Sequence, residues 1–250
     1  MLSQFLDCLF PPACLLCEAR VSSGHMVLCA TCEAELVTCA PPVCDACGLP
    51  LRGRHDASIT CASCSRQRLA FDHAVAPLIY RGRVRDAIHA FKYRRHRRLG
   101  ERLAAAMAQA ARERLNPATI DAVVPVPMHG LRQRLRGSHP AAWLARRVAT
   151  DLGRPYRRDL LARARWTPSQ TRLTVAARFE NVAHAFRPTR ARLDGLRVLL
   201  VDDVLTSGAT ADACATALRD AGAAVVDVLT AARAPEPTDA PPSDPPLAIR

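Results

Sequence analysis

The segment RVLLVDDVLTSGATADACATALRDAG, Arg197–Gly222, decides the fold. It begins with the apolar run typical of a buried strand, which ends at two acidic residues, Asp202 and Asp203. A short loop of hydroxyl-bearing residues and Gly208 follows, and the remainder has the composition of a helix. Ligands of open α/β sheets bind beyond the carboxyl ends of the strands, so this junction is the first candidate for a binding site.

The loop suits a phosphorylated sugar. Free N–H groups at a helix N-terminus accept phosphate, and Gly208 lets the backbone approach it closely. Two adjacent carboxylates match the two O–H donors of a ribose diol. We therefore predict a site that holds a sugar by its hydroxyls and its 5′-phosphate together. Its predicted residues are Asp202, Asp203, Thr206, Ser207, Gly208, Ala209 and Thr210.

Other apolar runs predict further strands at 73–80 (HAVAPLIY), 121–127 (DAVVPVP) and 223–232 (AAVVDVLTAA). Strands that alternate with helices predict an α/β fold, a parallel sheet flanked by helices. No GxGxxG motif occurs, which argues against a dinucleotide-binding sheet. The predicted helices are Val84–Tyr93, Leu99–Arg114, Ala141–Leu152 and Ala209–Ala221.

The first 70 residues predict a small cysteine-rich domain that binds zinc. Each CxxC pair places two thiolates at a spacing that one tetrahedral zinc ion accepts. The pairs are Cys14/Cys17, Cys29/Cys32, Cys44/Cys47 and Cys61/Cys64. The simplest grouping is sequential and gives two Zn²⁺ sites with four cysteines each. An interleaved cross-brace, which joins the first pair to the third and the second to the fourth, uses the same residues and stays open.

The cysteines could instead form disulfide bonds. Whether they do depends on whether the protein resides in an oxidising or a reducing compartment. The first residues carry Asp7 and lack the basic start of a signal peptide. No apolar run reaches the roughly 20 residues that a membrane helix needs. We therefore expect a cytoplasmic protein with no membrane span, whose cysteines bind metal.

Positive charge is concentrated in the middle of the chain. Residues 1–70 carry a net charge of −1 and residues 235–250 one of −2, so the total of +12 leaves +15 for residues 71–234. This surplus predicts an anionic partner, a nucleotide-like ligand or nucleic acid, unless it reflects only a bias toward arginine. The weak charge of the cysteine-rich part favours a structural or protein-docking role for it.

The segment at 197–222 resembles the phosphoribosyl-pyrophosphate (PRPP) loop of type I phosphoribosyltransferases. Two other segments extend the resemblance to the ComF/GntX-like family. VPVP with RQRLRG, at 124–127 and 132–137, is similar to that family's pyrophosphate-side loop. The stretch 165–187 matches its R-x-T-x-x-Q-x-x-L, R-x-x-N and A-F pattern, a position that hosts a mobile flap in related transferases. With its zinc-binding front, the chain is identified as a member of this family.

The resemblance implies that the protein binds Mg-PRPP and takes part in DNA uptake during natural transformation, on the cytoplasmic side. Phosphoribosyl transfer leaves negative charge on pyrophosphate, which Mg²⁺ and cationic side chains stabilise. The candidates for pyrophosphate or flap contacts are Lys92, Arg132, Arg136, Arg165, Gln170 and Arg178. Lys92 is the only lysine of the chain, and its compact ammonium favours such a role over the alternative, an exposed basic helix face.

The sequence does not identify an acceptor for the phosphoribosyl group. Thr206 stands where some purine-using relatives carry a third acid, and aromatic residues make up only 4% of the chain. Two alternatives therefore stay open: a transferase with an unknown acceptor, and a non-catalytic scaffold that binds PRPP or single-stranded DNA for helicase or recombination partners. The chain also reads Ser138-His139-Pro140 where the family has F-N-Q, and Pro140 fits the first turn of a helix.

These features divide the chain into three expected parts. Residues 1–70 form a double zinc ribbon domain, and residues 71–234 form a phosphoribosyltransferase-like domain. Residues 235–250 are rich in proline, show no apolar period, and should form a disordered tail.

Overall fold

A computed structural model describes residues 12–21, 27–51, 53, 59–94, 96–130, 133–134, 137–165, 174–189 and 192–235. The expected tail is therefore, apart from its first residue, outside the described residues. Among the helices that the structure describes, none combines the length and the apolar character needed to cross a membrane.

A parallel sheet forms the centre of the molecule. Its strands are β1 (Ala74–Val75), β2 (Leu78–Ile79), β3 (Ala122–Pro125), β6 (Arg197–Leu205) and β7 (Val225–Arg233). The order is β1-β7-β6-β3, and β2 continues beside β7 after β1. All of these pairings are parallel, so the carboxyl ends of β3, β6 and β7 lie at one edge. The predicted fold class is confirmed.

Helices cover both faces of the sheet, which is why its strands are apolar on both sides. On one face lie α3 (Gly82–Arg94), α4 (Arg97–Arg114) and α5 (Pro140–Leu152). On the other lie α6 (Val175–Val182) and α7 (Ala209–Asp220). Successive residues of β6 alternate between the two cores, as a strand requires. Leu199 and Val201 pack in the first core, and Val198 and Leu200 in the second.

A small antiparallel pair lies outside the main sheet. It joins β4 (Leu161–Arg163) to β5 (Phe186–Pro188) and brackets α6 and the expected flap. Sequence patterns did not predict it, because three-residue strands are too short to show an alternation.

The cysteine-rich region contains two short helices, α1 (Ala30–Ala34) and α2 (Ala62–Arg66). Each lies in the second half of one four-cysteine group. Cys14, Leu28 and Cys32 pack into the same core as α3 and α4. Cys44, Cys47 and Cys61 instead form a small core of their own with Leu49. The two halves of this region are therefore attached to the sheet domain in different ways.

Candidate functional site

The strand–loop–helix order predicted for residues 197–222 is present, but β6 continues past the two acids to Leu205, so only residues 206–208 form the loop before α7. β6 carries Asp202 and Asp203 to the carboxyl edge of the sheet, and α7 begins directly after Gly208. Gly208 has φ of +86°, a conformation that favours glycine, and it caps the helix without a side chain. Gly208 supplies no capping side chain, and the Ala209 N–H donates to the Ser207 hydroxyl in a long hydrogen bond of 3.4 Å. A helix N-terminus of this kind is a place where phosphate binds.

The two acids occupy different environments. Asp202 is partly buried, and its Oδ1 accepts a hydrogen bond of 2.8 Å from the Asp203 N–H. Desolvation and then the charge of Asp203 raise the pKa of Asp202 to about 7, against the weaker opposing effects of the Asp203 N–H hydrogen bond, Lys92 and Arg163. The pair therefore holds one proton more readily than two separate carboxylates would.

Lys92 is the partner of the second acid. Its Nζ lies 2.7 Å from Asp203 Oδ1, and each side chain is only 16% exposed. Burial alone would lower the pKa of Lys92, but Asp203 and then Asp202 raise it, so the ammonium form is kept. The interpretation of Lys92 as part of an exposed basic face is therefore wrong, because the C-terminal turn of α3 directs this side chain to the acids at the end of β6.

Tyr80 and His89 extend this cluster, and the sequence analysis missed both. The Tyr80 hydroxyl lies 3.1 Å from His89 Nε2. Burial raises the pKa of Tyr80, and burial followed by the charge of Lys92 lowers that of His89, so both side chains favour their neutral forms. A tyrosine after a strand and a histidine inside a helix form no spacing motif, and only the fold brings them to Lys92.

The flap and pyrophosphate candidates are only partly described. Arg132, Arg136 and Gln170 lie outside the described residues. Arg165 donates from Nη2 to the carbonyl oxygens of Asn181 (3.2 Å) and Ala183 (2.9 Å), which ties the end of β4 to the end of α6. Arg178 lies on α6 itself. The structure thus gives Arg165 a structural contact that its sequence pattern did not suggest.

A cavity of about 250 Å³ lies at the carboxyl end of β3. Pro125, Arg158 and Arg163 are among its lining residues, together with His139. His139 Nε2 lies 3.1 Å from the Val126 carbonyl oxygen, and Pro140 is the first residue of α5, as predicted. The replacement of the family's amides therefore leaves this helix start intact.

The eight predicted zinc ligands form two groups, and the grouping is sequential. One contains Cys14, Cys17, Cys29 and Cys32, and the other Cys44, Cys47, Cys61 and Cys64. Within each group the sulfur atoms lie within 4.8 Å of one another, and the Sγ–Sγ distance is 3.5 Å for Cys17–Cys29 and 3.7 Å for Cys47–Cys61. Zn–S bonds of about 2.3 Å in a tetrahedron need sulfur atoms roughly 3.8 Å apart, so both groups fit zinc.

Backbone N–H groups support the thiolate form that zinc binds. The Cys61 N–H donates to Cys44 Sγ at 3.2 Å, and the Cys32 N–H lies 3.5 Å from Cys29 Sγ. Burial raises the pKa of the Cys14 thiol, but hydrogen bonds from backbone groups outweigh it and lower the pKa to about 6. Zinc held by these cysteines would supply structure rather than reactivity, because four protein ligands leave no open position.

A parallel sheet with paired acids at its carboxyl edge, behind two four-cysteine groups, defines a phosphoribosyltransferase-type protein with a zinc-binding front. Residues 5–66 match the double zinc ribbon domain family, and residues 92–245 match the phosphoribosyl transferase domain family. The chain belongs to the phosphoribosyl transferase domain family. Its four-cysteine groups and the double zinc ribbon match together support two zinc sites.

Two similar proteins match most of this chain over most of their own length. The DNA utilization protein YhgH of Salmonella typhimurium is 29% identical over 221 residues, which cover 87% of this chain and 95% of that one. Competence protein F of Haemophilus influenzae is 27% identical over 228 residues, covering 88% and 96%. These matches confirm the resemblance to ComF-type proteins.

Among solved structures, the glutamine PRPP amidotransferase from B. subtilis complexed with ADP and GMP is 25% identical, with a TM-score of 0.35. The match covers 52% of this chain and 25% of that one.

Proposed function

We propose that the protein binds Mg-PRPP at residues 202–210, where β6 ends and α7 begins, and acts in the handling of DNA that is taken up by the cell. The observation that carries the ligand assignment is the juxtaposition of Asp202, Asp203 and Lys92 with the glycine-headed start of α7. Paired acids and the N-terminal backbone of a helix at one sheet edge suit a ligand with both a diol and a phosphate.

Each part of the loop has a proposed task. Asp202 and Asp203 accept hydrogen bonds from the ribose hydroxyls and hold Mg²⁺ through water. The backbone N–H groups of Gly208 and Ala209, with the hydroxyls of Thr206, Ser207 and Thr210, bind the 5′-phosphate. Lys92, which fixes Asp203, also faces the pyrophosphate side. Arg132, Arg136, Arg165, Gln170 and Arg178 complete the pyrophosphate and flap contacts.

Binding is better supported than transfer. Thr206 offers no carboxylate to move a proton of a base, and it is exposed. The chain therefore either transfers the phosphoribosyl group to an unidentified acceptor or uses PRPP as a regulatory ligand. The zinc ribbons have a structural or protein-docking role in both cases.

The DNA role rests on the relatives and on charge. One relative is named for competence and the other for DNA utilization, and both match most of this chain. The surplus of +15 over residues 71–234 suits single-stranded DNA, and a helicase or recombination protein is the expected partner on the cytoplasmic side.

Titration calorimetry with Mg-PRPP tests the ligand assignment. The double variant Asp202→Ala/Asp203→Ala should bind roughly 100-fold more weakly than wild type, because it removes both carboxyl groups that accept hydrogen bonds from the ligand. Asp220→Ala, an exposed acid at the far end of α7, is the matched control and should bind like wild type. Absence of binding to the wild-type protein would exclude the proposed ligand.

Lys92→Arg keeps the charge and changes the shape of the cation. We expect Mg-PRPP binding about tenfold weaker, because a planar fork cannot occupy the enclosed position of an ammonium beside Asp203. Unchanged affinity would mean that the single lysine contributes only charge.

The DNA role is tested by binding of a fluorescent single-stranded oligonucleotide across salt concentrations. Phosphate contacts predict that log affinity falls with log salt at about 0.7 per phosphate neutralised. A slope near zero would remove direct DNA binding and favour a role through protein partners.

A further inference from the structure

Arg233 ends β7 at the same edge as the candidate ligand loop, and its guanidinium is enclosed there. The residue is 8% exposed. Its Nε donates to the Cys47 carbonyl oxygen at 2.9 Å, and its Nη2 lies 3.6 Å from Cys47 Sγ. Its Nη1 donates to the carbonyl oxygens of Leu205 (3.2 Å), Thr206 (2.7 Å) and Ala234 (2.8 Å). One side chain thus contacts both the second four-cysteine group and the first residues of the loop.

The charge of Arg233 needs a counterion, because a buried guanidinium without one is costly. Within the part of the chain that the structure describes, no carboxylate forms an ion pair with it, and its ionisable neighbours are the thiols of Cys47 and Cys39. Burial raises the pKa of the Cys39 thiol, which donates to the Gly48 carbonyl oxygen, so Cys47 and its group are the source of negative charge. Four thiolates around Zn²⁺ carry a net charge of −2. The loaded second group is therefore the counterion that allows Arg233 to remain buried in its present position.

The start of α7, next to the residues that Arg233 contacts, also packs against the segment that follows the second ribbon. The side chains of Leu69 and Phe71, which follow the second ribbon, lie beside Gly208. The Ala70 N–H donates to Asp212 Oδ1 of α7 at 2.7 Å. The segment that leaves the second ribbon thus contacts the start of α7, while Arg233 holds the backbone just before it.

We propose that Arg233 is a positioning residue that couples zinc occupancy of the second group (Cys44, Cys47, Cys61, Cys64) to the conformation of residues 205–210, which join β6 to α7. The part of this inference that concerns ligand affinity rests on the proposed function. Loss of zinc from the second group removes the counterion, frees the guanidinium, and releases the Leu205 and Thr206 carbonyl oxygens. Coupling of two binding events is reciprocal, so a ligand that orders the loop also slows zinc loss from this group.

The test measures zinc release from the full-length, zinc-loaded protein into a colorimetric chelator, for wild type, Arg233→Met and Arg233→Lys. Arg83→Met is the matched control, because Arg83 lies beside the first ribbon and pairs with Glu35. Arg233→Met should release one of its two zinc ions roughly tenfold faster and leave the other unchanged. In Arg83→Met, the zinc ion that Arg233→Met releases faster should be released at the wild-type rate. Wild-type release from Arg233→Met would overturn the coupling.

A second arm adds Mg-PRPP at saturation. It should slow the same release phase in wild type and have no effect on that phase in Arg233→Met. Arg233→Lys keeps the positive charge but cannot span both Cys47 and Thr206, so it should retain zinc like wild type and bind Mg-PRPP more weakly. If Arg233→Met does not fold, Arg233→Lys decides, because wild-type ligand affinity in that variant would contradict the positioning role.

The two proposals fail in different ways. If Mg-PRPP does not bind wild type, the proposed ligand is excluded, and the zinc-release rates of Arg233→Met and Arg83→Met still decide whether Arg233 supports the second zinc site. If Mg-PRPP binds wild type and Arg233→Met equally well, the ligand assignment stands and the coupling is wrong.

Discussion

The two four-cysteine groups have the same ligands and similar spacing, but they meet different parts of the molecule. The first shares an apolar core with α3 and α4, and its acids Glu35 and Glu33 pair with Arg83 and Arg102 at the surface. The second has its own small core; it meets the carboxyl end of β7 through Arg233, and the start of β1 through a contact of His73 with the Asp45 carbonyl oxygen.

The two zinc ribbons therefore contact the sheet domain in two different ways. The first ribbon is attached to the sheet domain by apolar packing against helices. Such packing is not directional, so it does not fix the positions of atoms at the ligand edge. Hydrogen bonds from buried groups are directional and expensive to leave unmade, so the second ribbon constrains the atoms that it contacts. Stability should therefore depend on both ribbons, and the ligand edge mainly on the second.

The largest effects should come from removing one zinc ligand in each group. Cys17 and Cys64 are the matched choices, because each is among the more accessible members of its group. Cys17→Ser and Cys64→Ser should each lower the zinc content from two ions to one, with loss of a ribbon worth on the order of 10 kcal/mol of metal binding. Only Cys64→Ser should also weaken Mg-PRPP binding, as measured by calorimetry. Equal loss of ligand binding in both variants would contradict the division of roles.

The close contact of the second ribbon with β1 gives the next largest effect. Gly48 has φ of +65°, and an added Cβ would lie 2.5 Å from the Ala74 carbonyl oxygen. Gly48→Ala should lower the free energy of unfolding by about 3 kcal/mol, since both the backbone and the clash oppose it. Gly153→Ala is the control, with φ of +64° and open space around the Cβ position, and should cost only about 1 kcal/mol. Denaturant unfolding measures the loss of stability in both variants. Equal losses would show that the backbone near Ala74 moves to accommodate the added Cβ.

A pH effect should mark the ligand edge. The pKa of Asp202 is raised in the fold to about 7, so its ionisation costs stability as pH rises from the unfolded pKa toward 7. Between pH 5 and 8 the free energy of unfolding of wild type should fall by about 2 kcal/mol relative to Asp202→Asn. Asp203, Lys92, Arg163 and Cys214 face this carboxyl and are unchanged in the variant. Parallel stability curves would show that Asp202 ionises normally.

The smallest effects should come from the acids of the first ribbon. Glu35→Gln and Glu33→Gln each remove one surface ion pair and should cost at most about 1 kcal/mol, less at high salt. Zinc content and Mg-PRPP affinity should remain those of wild type. A change in ligand affinity in either variant would mean that the first ribbon also constrains the ligand edge.

The sequence predicted the main elements well, because each has a strong local signal. The apolar runs gave β3, β6 and β7, and the predicted bounds of α3, α4, α5 and α7 differ from the structure by at most two residues. The acid pair and Gly208 could be recognised because their spacing is local. The sequential cysteine grouping was the simplest of two alternatives, and only the fold decided it.

Contacts between distant segments could not be predicted in the same way. Lys92 was singled out by composition, but nothing in its neighbourhood indicated that Asp203 would be its partner. Arg233 follows two alanines in a chain with many arginines, so it carried no signal at all. Arg165 was predicted to meet an anion from its motif position, and the structure shows it bonded to backbone carbonyl oxygens.

The position of β7 has a consequence for synthesis on the ribosome. β7 lies between β6 and the two short strands β1 and β2, which have no other strand partner among the described residues apart from an isolated bridge of Leu78 to Thr38. Val75 pairs with Leu229, which the ribosome adds about 150 residues later. At ordinary elongation rates this takes roughly 8–30 s, and β1 cannot pair with β7 before then. During that interval the cysteine groups are already outside the ribosome and can load zinc, while the sheet edge beside them is incomplete. Metal loading should precede completion of the ligand edge, which makes the ribbons the first folded part of the nascent protein.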